Sequence, residues 1–424
     1  MVRQPSAPPR LSSAAGRIRL LANQSSSQPS KRLIALKIVA IAAGGFLSAL
    51  VLWEIILRLS VETSQGISDH PALGKIDSPG LMIHTREGFN RTVLNDLGMR
   101  GPEPIPKQPG EYRILLLGDS FTRADEVSDG ISFGDRLQAH FTADYEKTNR
   151  LHNDPSDQLL VTAGRSRQIT EKVNVINAGK PSASPAGYLF AADFHKQTFV
   201  PDATVIQLTE HDFTMDMGSD ASEFYLEKSE EATSGDRAYE IKQNEAFGSA
   251  DPLAQKVIAR VPGLDSLLTL STLRIGGRNL SAALSPTPSP EDVETPISVA
   301  ESARIQAEDA AMIDWTLQQL SQTFPNVVIV FIPAMNYQDA GPTSSVPRNA
   351  DIEAKLTEAA AAQDIPFINM RQDFREHYAR EGTHLKGFSN TLPGEGHLNS
   401  RGHQLVTRRL IEFFNQPNSP LRQS

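Results

Sequence analysis

The chain has 424 residues with 28 Gly, 28 Pro and no cysteine, and 41 Lys+Arg against 50 Asp+Glu give a formal net charge of -9. Disulfide scaffolds, zinc ribbons, iron–sulfur clusters and thiol nucleophiles are therefore excluded. A content of 39% hydrophobic and 21% charged residues fits neither a polytopic membrane protein nor a wholly disordered one, and the acidic balance argues against nucleic acid as a partner.

The charge is unevenly spread. Residues 1–37 hold seven basic groups (Arg3, Arg10, Arg17, Arg19, Lys31, Arg32, Lys37) and no acid, leaving -16 on the remainder. Directly afterwards, Ile38 to Leu57 is a twenty-residue apolar run in which only Ser48 and Glu54 are strongly polar, followed by Arg58. At about 1.5 Å per residue such a helix matches a bilayer's hydrocarbon core. The long basic leader and the exit LRLSVETSQG differ from a cleaved signal peptide, so residues 38–58 are expected to be an uncleaved transmembrane anchor. The positive-inside bias then places residues 1–37, a disordered basic tail, in the cytoplasm and all that follows Arg58 outside it.

Residues 59–110 show little periodicity and several turn signals (DSPG, NDLG, RGPEPIPKQPG), and read as an extended lead-in. Short apolar runs of strand type follow at Arg113–Leu117, Val173–Ala178, Thr204–Leu208, Val327–Ile332 and Pro366–Asn369. Helical patterns lie between them near 132–145, 186–198, 302–323 and 350–363, with a last one at 401–414. Continuously apolar strands alternating with helices imply a mainly parallel sheet in a three-layer α/β/α domain over residues 111–416, with 417–424 as a tail. Residues 214–303, acidic and Ser/Pro-rich in places with one helix-like island around Asp251–Leu273, read as an insertion, partly disordered and partly a lid.

In an open α/β sheet, ligands bind beyond the carboxyl ends of the strands. After the first strand comes Gly118-Asp119-Ser120-Phe121-Thr122, where a tight strand-to-helix turn can present the Ser120 hydroxyl and its own N–H at a helix start. Taken alone, Ser120 reads better as a plain helix N-cap, and the segments that follow reverse that reading. After the second strand comes Asn177-Ala178-Gly179-Lys180-Pro181-Ser182, after the third Thr209-Glu210-His211-Asp212-Phe213, and near the C-terminus Gly394-Glu395-Gly396-His397-Leu398-Asn399-Ser400-Arg401-Gly402-His403. His211, Asp212 and Asp216 on one short segment are a weak metal motif, and no metal or other cofactor is called for.

These four segments in this order resemble the SGNH, or GDSL-type, hydrolase family over most of residues 90–213 and 325–414, and Asn95 to Gly101 followed by Tyr112-Arg113-Ile114 resembles the lead-in of membrane-anchored bacterial members. The resemblance implies a flavodoxin-like five-stranded sheet preceded by one transmembrane helix. It also implies a serine nucleophile at Ser120 and a catalytic base at His397, with His403 a structural residue of the following helix. The family's Asp two or three residues before the histidine is replaced by Gly394 and Glu395, so Glu395 becomes the candidate orienting acid. Its second-block glycine aligns with Ser182 and its third-block asparagine with His211, so the oxyanion donors implied are the Ser120 and Ser182 N–H groups and the His211 ring. The glycines common after the serine motif are Ala124 and Glu126 here.

The function expected is an extracytoplasmic serine esterase in a bacterial inner membrane, cleaving acyl esters, acetyl foremost, on an envelope glycan or lipid. Two alternatives stand beside it. One is an O-acyltransferase working with envelope or exopolysaccharide machinery, and the other is a carbohydrate-binding scaffold with a degenerate site.

Overall fold

The computed structural model describes residues 31–60, 67–84, 87–153, 172–213, 222–229, 238–244, 247, 299–335, 350–391 and 393–423. Most of the expected basic tail and most of the 214–303 insertion, including the island at Asp251–Leu273, lie outside these residues, as does Asp216. The chain divides into two compact units, Met1–Arg58 and Leu59–Ser424.

The first unit contributes most of the helix Lys31–Ser60, whose stretch Ile34–Ile55 is long and apolar enough to cross a membrane. That stretch begins four residues earlier than the apolar run read from the sequence, because the flanking Lys37 sits on the same continuous helix.

In the second unit, residues 59–110 form more than a lead-in. Strands β1 (Ile67–His70) and β2 (Gly74–Asp77) make one antiparallel hairpin, and β3 (Gly80–His84) and β4 (Asn90–Leu94) make another. The second is clamped to the body: Asn90 Nδ2 donates to the Asp125 and Val127 carbonyls at 3.0 and 2.5 Å, and Thr92 Oγ1 donates to Asp129 at 2.6 Å.

Strands β5 (Glu111–Leu117), β6 (Lys172–Asn177), β7 (Ala203–Leu208), β10 (Val327–Phe331) and β11 (Phe367–Asn369) form one sheet, parallel throughout, in the order β6-β5-β7-β10-β11. This is the flavodoxin-like order expected. β8 (Phe224–Lys228) and β9 (Tyr239–Gln243) form a separate hairpin within the stretch read as an insertion.

The runs are uninterruptedly apolar because both faces are covered. Alternate residues, Leu115, Leu117, Ile206, Leu208, Ile329 and Phe331, pack with Leu317, Leu320 and Phe324 of the helix Val299–Thr323 and with Leu356 and Ala360 of the helix Ala350–Ala362. The residues between them, Ile114, Leu116, Val205, Val328 and Val330, pack with Phe133, Leu137 and Phe141 of the helix Phe133–Asn153 and with Val406, Leu410 and Phe414 of the helix Ser400–Phe414. Three departures from the sequence reading are local. The helical pattern at 186–198 is divided at Ala191 into Pro185–Phe190 and Ala192–Phe199. The helix Arg371–Glu381 was not anticipated, since it buries little beyond Phe374 and His377, and Pro420–Gln423 adds a short helix to the tail.

Arg113 shows how a polar residue survives in β5. Its guanidinium is fully buried, pairs with Glu111 at 2.9 and 3.1 Å, and donates to the carbonyls of Phe199 and Ile105 at 2.9 and 2.7 Å. Replacing Arg113 by Met leaves the buried Glu111 carboxylate with the Asn174 amide and the Gln108 N–H but no cation, and the expected loss is about 3 kcal/mol in equilibrium denaturation of the detergent-solubilised chain. A loss under about 1 kcal/mol would show that the pair is not needed.

Candidate active site

The strand order puts a switch point at β5, where crossovers leave in opposite directions and a crevice opens at the carboxyl ends. Ser120 opens the short helix Ser120–Arg123 there. Asp119 caps it, accepting from the Phe121 N–H at 2.8 Å, and Ala124 ends it at φ 60 with its N–H on the Ser120 carbonyl at 2.8 Å. Both neighbouring strands hold this turn. Gln207 Oε1 of β7 accepts from the Asp119 N–H and the Thr122 hydroxyl at 3.2 and 3.0 Å, and Asn177 Nδ2 of β6 donates to the Thr122 carbonyl at 2.8 Å. Gly179 must be glycine, because a Cβ there would overlap the backbone of Thr122 and Arg123.

His397 approaches from the loop before the helix Ser400–Phe414. Its Nε2 lies 2.6 Å from Ser120 Oγ. The loop is fixed by the bridge Lys386↔Leu398, by the Gly387 N–H on the His397 carbonyl at 3.0 Å, and by Asn399, which caps the helix. Phe121 packs against the imidazole with ring centroids 5.0 Å apart, and the buried Lys386 ammonium sits 4.8 Å over the Phe121 ring while donating to the Pro333 carbonyl at 2.9 Å. Burial pushes the pKa of that ammonium down to about 8.

The carboxylate that faces His397 Nδ1 is not Glu395. Glu395 is exposed, on a loop whose turns direct it to solvent. The imidazole Nδ1 instead faces Glu87 Oε2 at 2.9 Å, an ion-pair contact not aligned as a linear hydrogen bond, and the same oxygen accepts the His397 backbone N–H at 2.8 Å. Glu87 stands in the connection between β3 and β4, where the adjoining Gly88 N–H donates to Asn390 Oδ1 at 2.6 Å. Gly396, at φ 74, leaves the space the Glu87 carboxylate fills. A second carboxylate, Glu126 Oε1, lies 3.3 Å from the same Nδ1. Burial alone would lower the His397 pKa, but Glu87, Glu126 and Asp119 outweigh it and raise it. Sequence reasoning missed Glu87 because it is 310 residues from His397 and belongs to no motif; the one signal was the missing acid at Gly394.

His403 lies in the core. Its Nδ1 accepts the Phe133 N–H at 3.3 Å, its ring stacks on Phe133, and burial holds it neutral with a pKa pushed down to about 3. His211 is exposed on the 3-10 turn Glu210–Phe213 that follows β7. Ser182 follows β6 and has φ 57, a left-handed conformation that favours glycine and costs a serine about 1–2 kcal/mol.

No protein-family model and no curated protein matches the chain. Among solved structures, it is similar to a lipase/acylhydrolase from Enterococcus faecalis, with 14% identity over 72% of this chain and 95% of the other and a TM-score of 0.33. It is also similar to a mutant of an acetyl-xylooligosaccharide esterase from Geobacillus, with 9% identity over 71% and 93% and a TM-score of 0.33. A third is a putative GDSL-like lipase from Parabacteroides merdae, with 13% identity over 73% and 98% and a TM-score of 0.31.

A cavity of about 260 Å³ adjoins the site at Gly179 and Ser182 and is walled mainly by apolar groups, among them Leu73, Met99, Ala183 and Phe224; neither Ser120 nor His397 lines it. The strain at Ser182 is directly testable. Ser182→Gly relieves it while keeping the N–H, so Tm is expected to hold or rise by a few degrees, whereas Ser182→Val is expected to lower Tm. A Ser182→Gly chain that melts well below the parent would show that the left-handed turn is not strained.

Proposed function

We propose that this chain is a membrane-anchored serine esterase that cleaves acyl esters through an acyl-Ser120 intermediate. The observation that carries the reading is the continuous line of contacts from Ser120 Oγ to His397 Nε2 at 2.6 Å and from His397 Nδ1 to Glu87 at 2.9 Å. An intact nucleophile, base and acid in contact favours an enzyme over a binding module.

In the proposed reaction Ser120 Oγ attacks the ester carbonyl and passes its proton to His397 Nε2. Glu87 stabilises the imidazolium that forms. The tetrahedral oxyanion is held by the N–H groups of Ser120 and Ser182 and by the His211 ring, which stand at the ends of adjacent strands. His397 then protonates the departing alcohol, and a water activated by the same imidazole hydrolyses the acyl-enzyme, returning the proton to Ser120.

The helix Lys31–Ser60 and the basic residues before it support a single pass through a bacterial inner membrane with the N-terminus cytoplasmic and the hydrolase unit outside. An acylated envelope glycan or lipid is the substrate class that this placement favours.

A fluorophosphonate probe is expected to label the detergent-solubilised chain at Ser120, and Ser120→Ala to abolish both labelling and release of p-nitrophenol from its esters. An unlabelled Ser120 overturns the esterase reading. Glu87→Gln is expected to lower kcat by about 10²- to 10⁴-fold, while Glu395→Gln changes it less than about twofold; the reverse ranking would return the acid's role to Glu395. His211→Ala is expected to cost about 10²-fold in kcat if the ring is an oxyanion donor, and an unchanged kcat removes it from the site.

A further inference from the structure

The carboxylate of Glu126 has no part in the scheme above, yet it lies against the imidazole. Its Oε1 is 3.3 Å from His397 Nδ1 and 3.8 Å from His84 Nε2, the side chain is 3% exposed, and Oε2 has no hydrogen-bond partner. The position is imposed by the fold: Asn90 Nδ2 grips the carbonyls on either side, of Asp125 and Val127, and Gly88 packs against the Glu126 carbonyl.

The surrounding charges leave Glu126 a single cationic partner among the described residues. Arg123, on its own segment, is committed to Asp125 at 2.9 Å and to Asp77. Burial pushes the pKa of His84, from β3, down and so disfavours its charged form. Asp125 and Glu87 are like charges that oppose ionisation. What remains is His397, when it carries a proton. Two carboxylates on one buried nitrogen cannot both ionise freely, and burial pushes the Glu126 carboxyl up to about 7.

We propose that Glu126 is a positioning residue that shares one proton with His397, so that the imidazole works beside a neutral carboxyl at intermediate pH and beside an anion at alkaline pH. The inference rests on the esterase reading for its catalytic consequence but not for the coupling itself. At acid pH the pair holds two protons, at alkaline pH none, and between them one, exchanged through water. In the one-proton state, either Glu126 is neutral and the imidazole is free to take the Ser120 proton, or Glu126 is charged and His397 is imidazolium. The two groups therefore titrate as a pair. The first form keeps some enzyme competent below the pH at which two fixed anions would hold His397 protonated. Once ionised, Glu126 raises the proton affinity of the imidazole and strengthens it as a base.

The test compares the parent chain, Glu126→Gln and Glu126→Asp, each checked by Tm, in two measurements. Nuclear magnetic resonance titration of His397 in a Ser120→Ala background needs no turnover. There His397 is expected to titrate in two steps in the two chains that keep a carboxyl at position 126, and in one step in Glu126→Gln, with the midpoint about one pH unit lower. In the second, the acid limb of kcat/KM for a p-nitrophenyl ester is expected to narrow to a single ionisation and to move to lower pH in Glu126→Gln. Superimposable His397 titrations of the parent and Glu126→Gln overturn the proposal. A shifted titration in a chain that hydrolyses no ester upholds the coupling and rejects the esterase reading, so the two failures are distinct.

Discussion

The site depends on one close approach: the backbone of Asn177–Lys180 lies directly on the Ser120 turn, with no side chain between them at Gly179. Because β6 and β7 both pair with β5 in parallel register, their ends are level with Gly118, and each can supply an amide side chain to the same turn. Asn177 and Gln207 do so, which satisfies the backbone groups exposed by a four-residue helix and holds the serine without help from the loops above. Rigidity of this kind suits the role proposed for Ser120, since a held side chain needs no reorganisation to react.

The second organising feature is the concentration of partly dehydrated charge around that turn. The pKa values of Asp119 and Asp212 are both pushed up by burial, while that of Lys386 is pushed down. Each has a fixed dipole or ring beside it: the Phe121 N–H for Asp119, the Thr209 N–H and hydroxyl for Asp212, and the Phe121 face and Pro333 carbonyl for Lys386. Such groups are tolerated only where their partners are supplied by rigid backbone. Here the partners are strand ends and the loops that follow them.

Local pattern made the sheet legible. Five apolar runs could only be strands buried on both faces, and their alternation with helices gave the parallel layers. Ser120 and His397 were legible because each stands in a compact motif, GDS and GHLN, and the structure brings them into contact. The carboxylate against His397 Nδ1 was not, since Glu395 stood close in sequence while Glu87 lies in a hairpin whose strands, GLMIH and NRTVL, are short and weakly alternating. Contacts between residues hundreds of positions apart leave no periodic trace. The helix Arg371–Glu381 escaped for a related reason: RQDFREHYARE offers little apolar stripe.

Delivery of Glu87 by the β3–β4 hairpin gives the N-terminal segment a role in assembly. The sheet carries Ser120, and the loop before its last helix carries His397, so both can be in place while the hairpin is still unseated. Only when Asn90 and Thr92 dock on residues 125–129 does the acid reach the imidazole. The hairpin thus acts as an internal key. In the reading proposed above, a change at Asn90 or Thr92 that unseats the hairpin would act on His397 without touching Ser120 or the sheet.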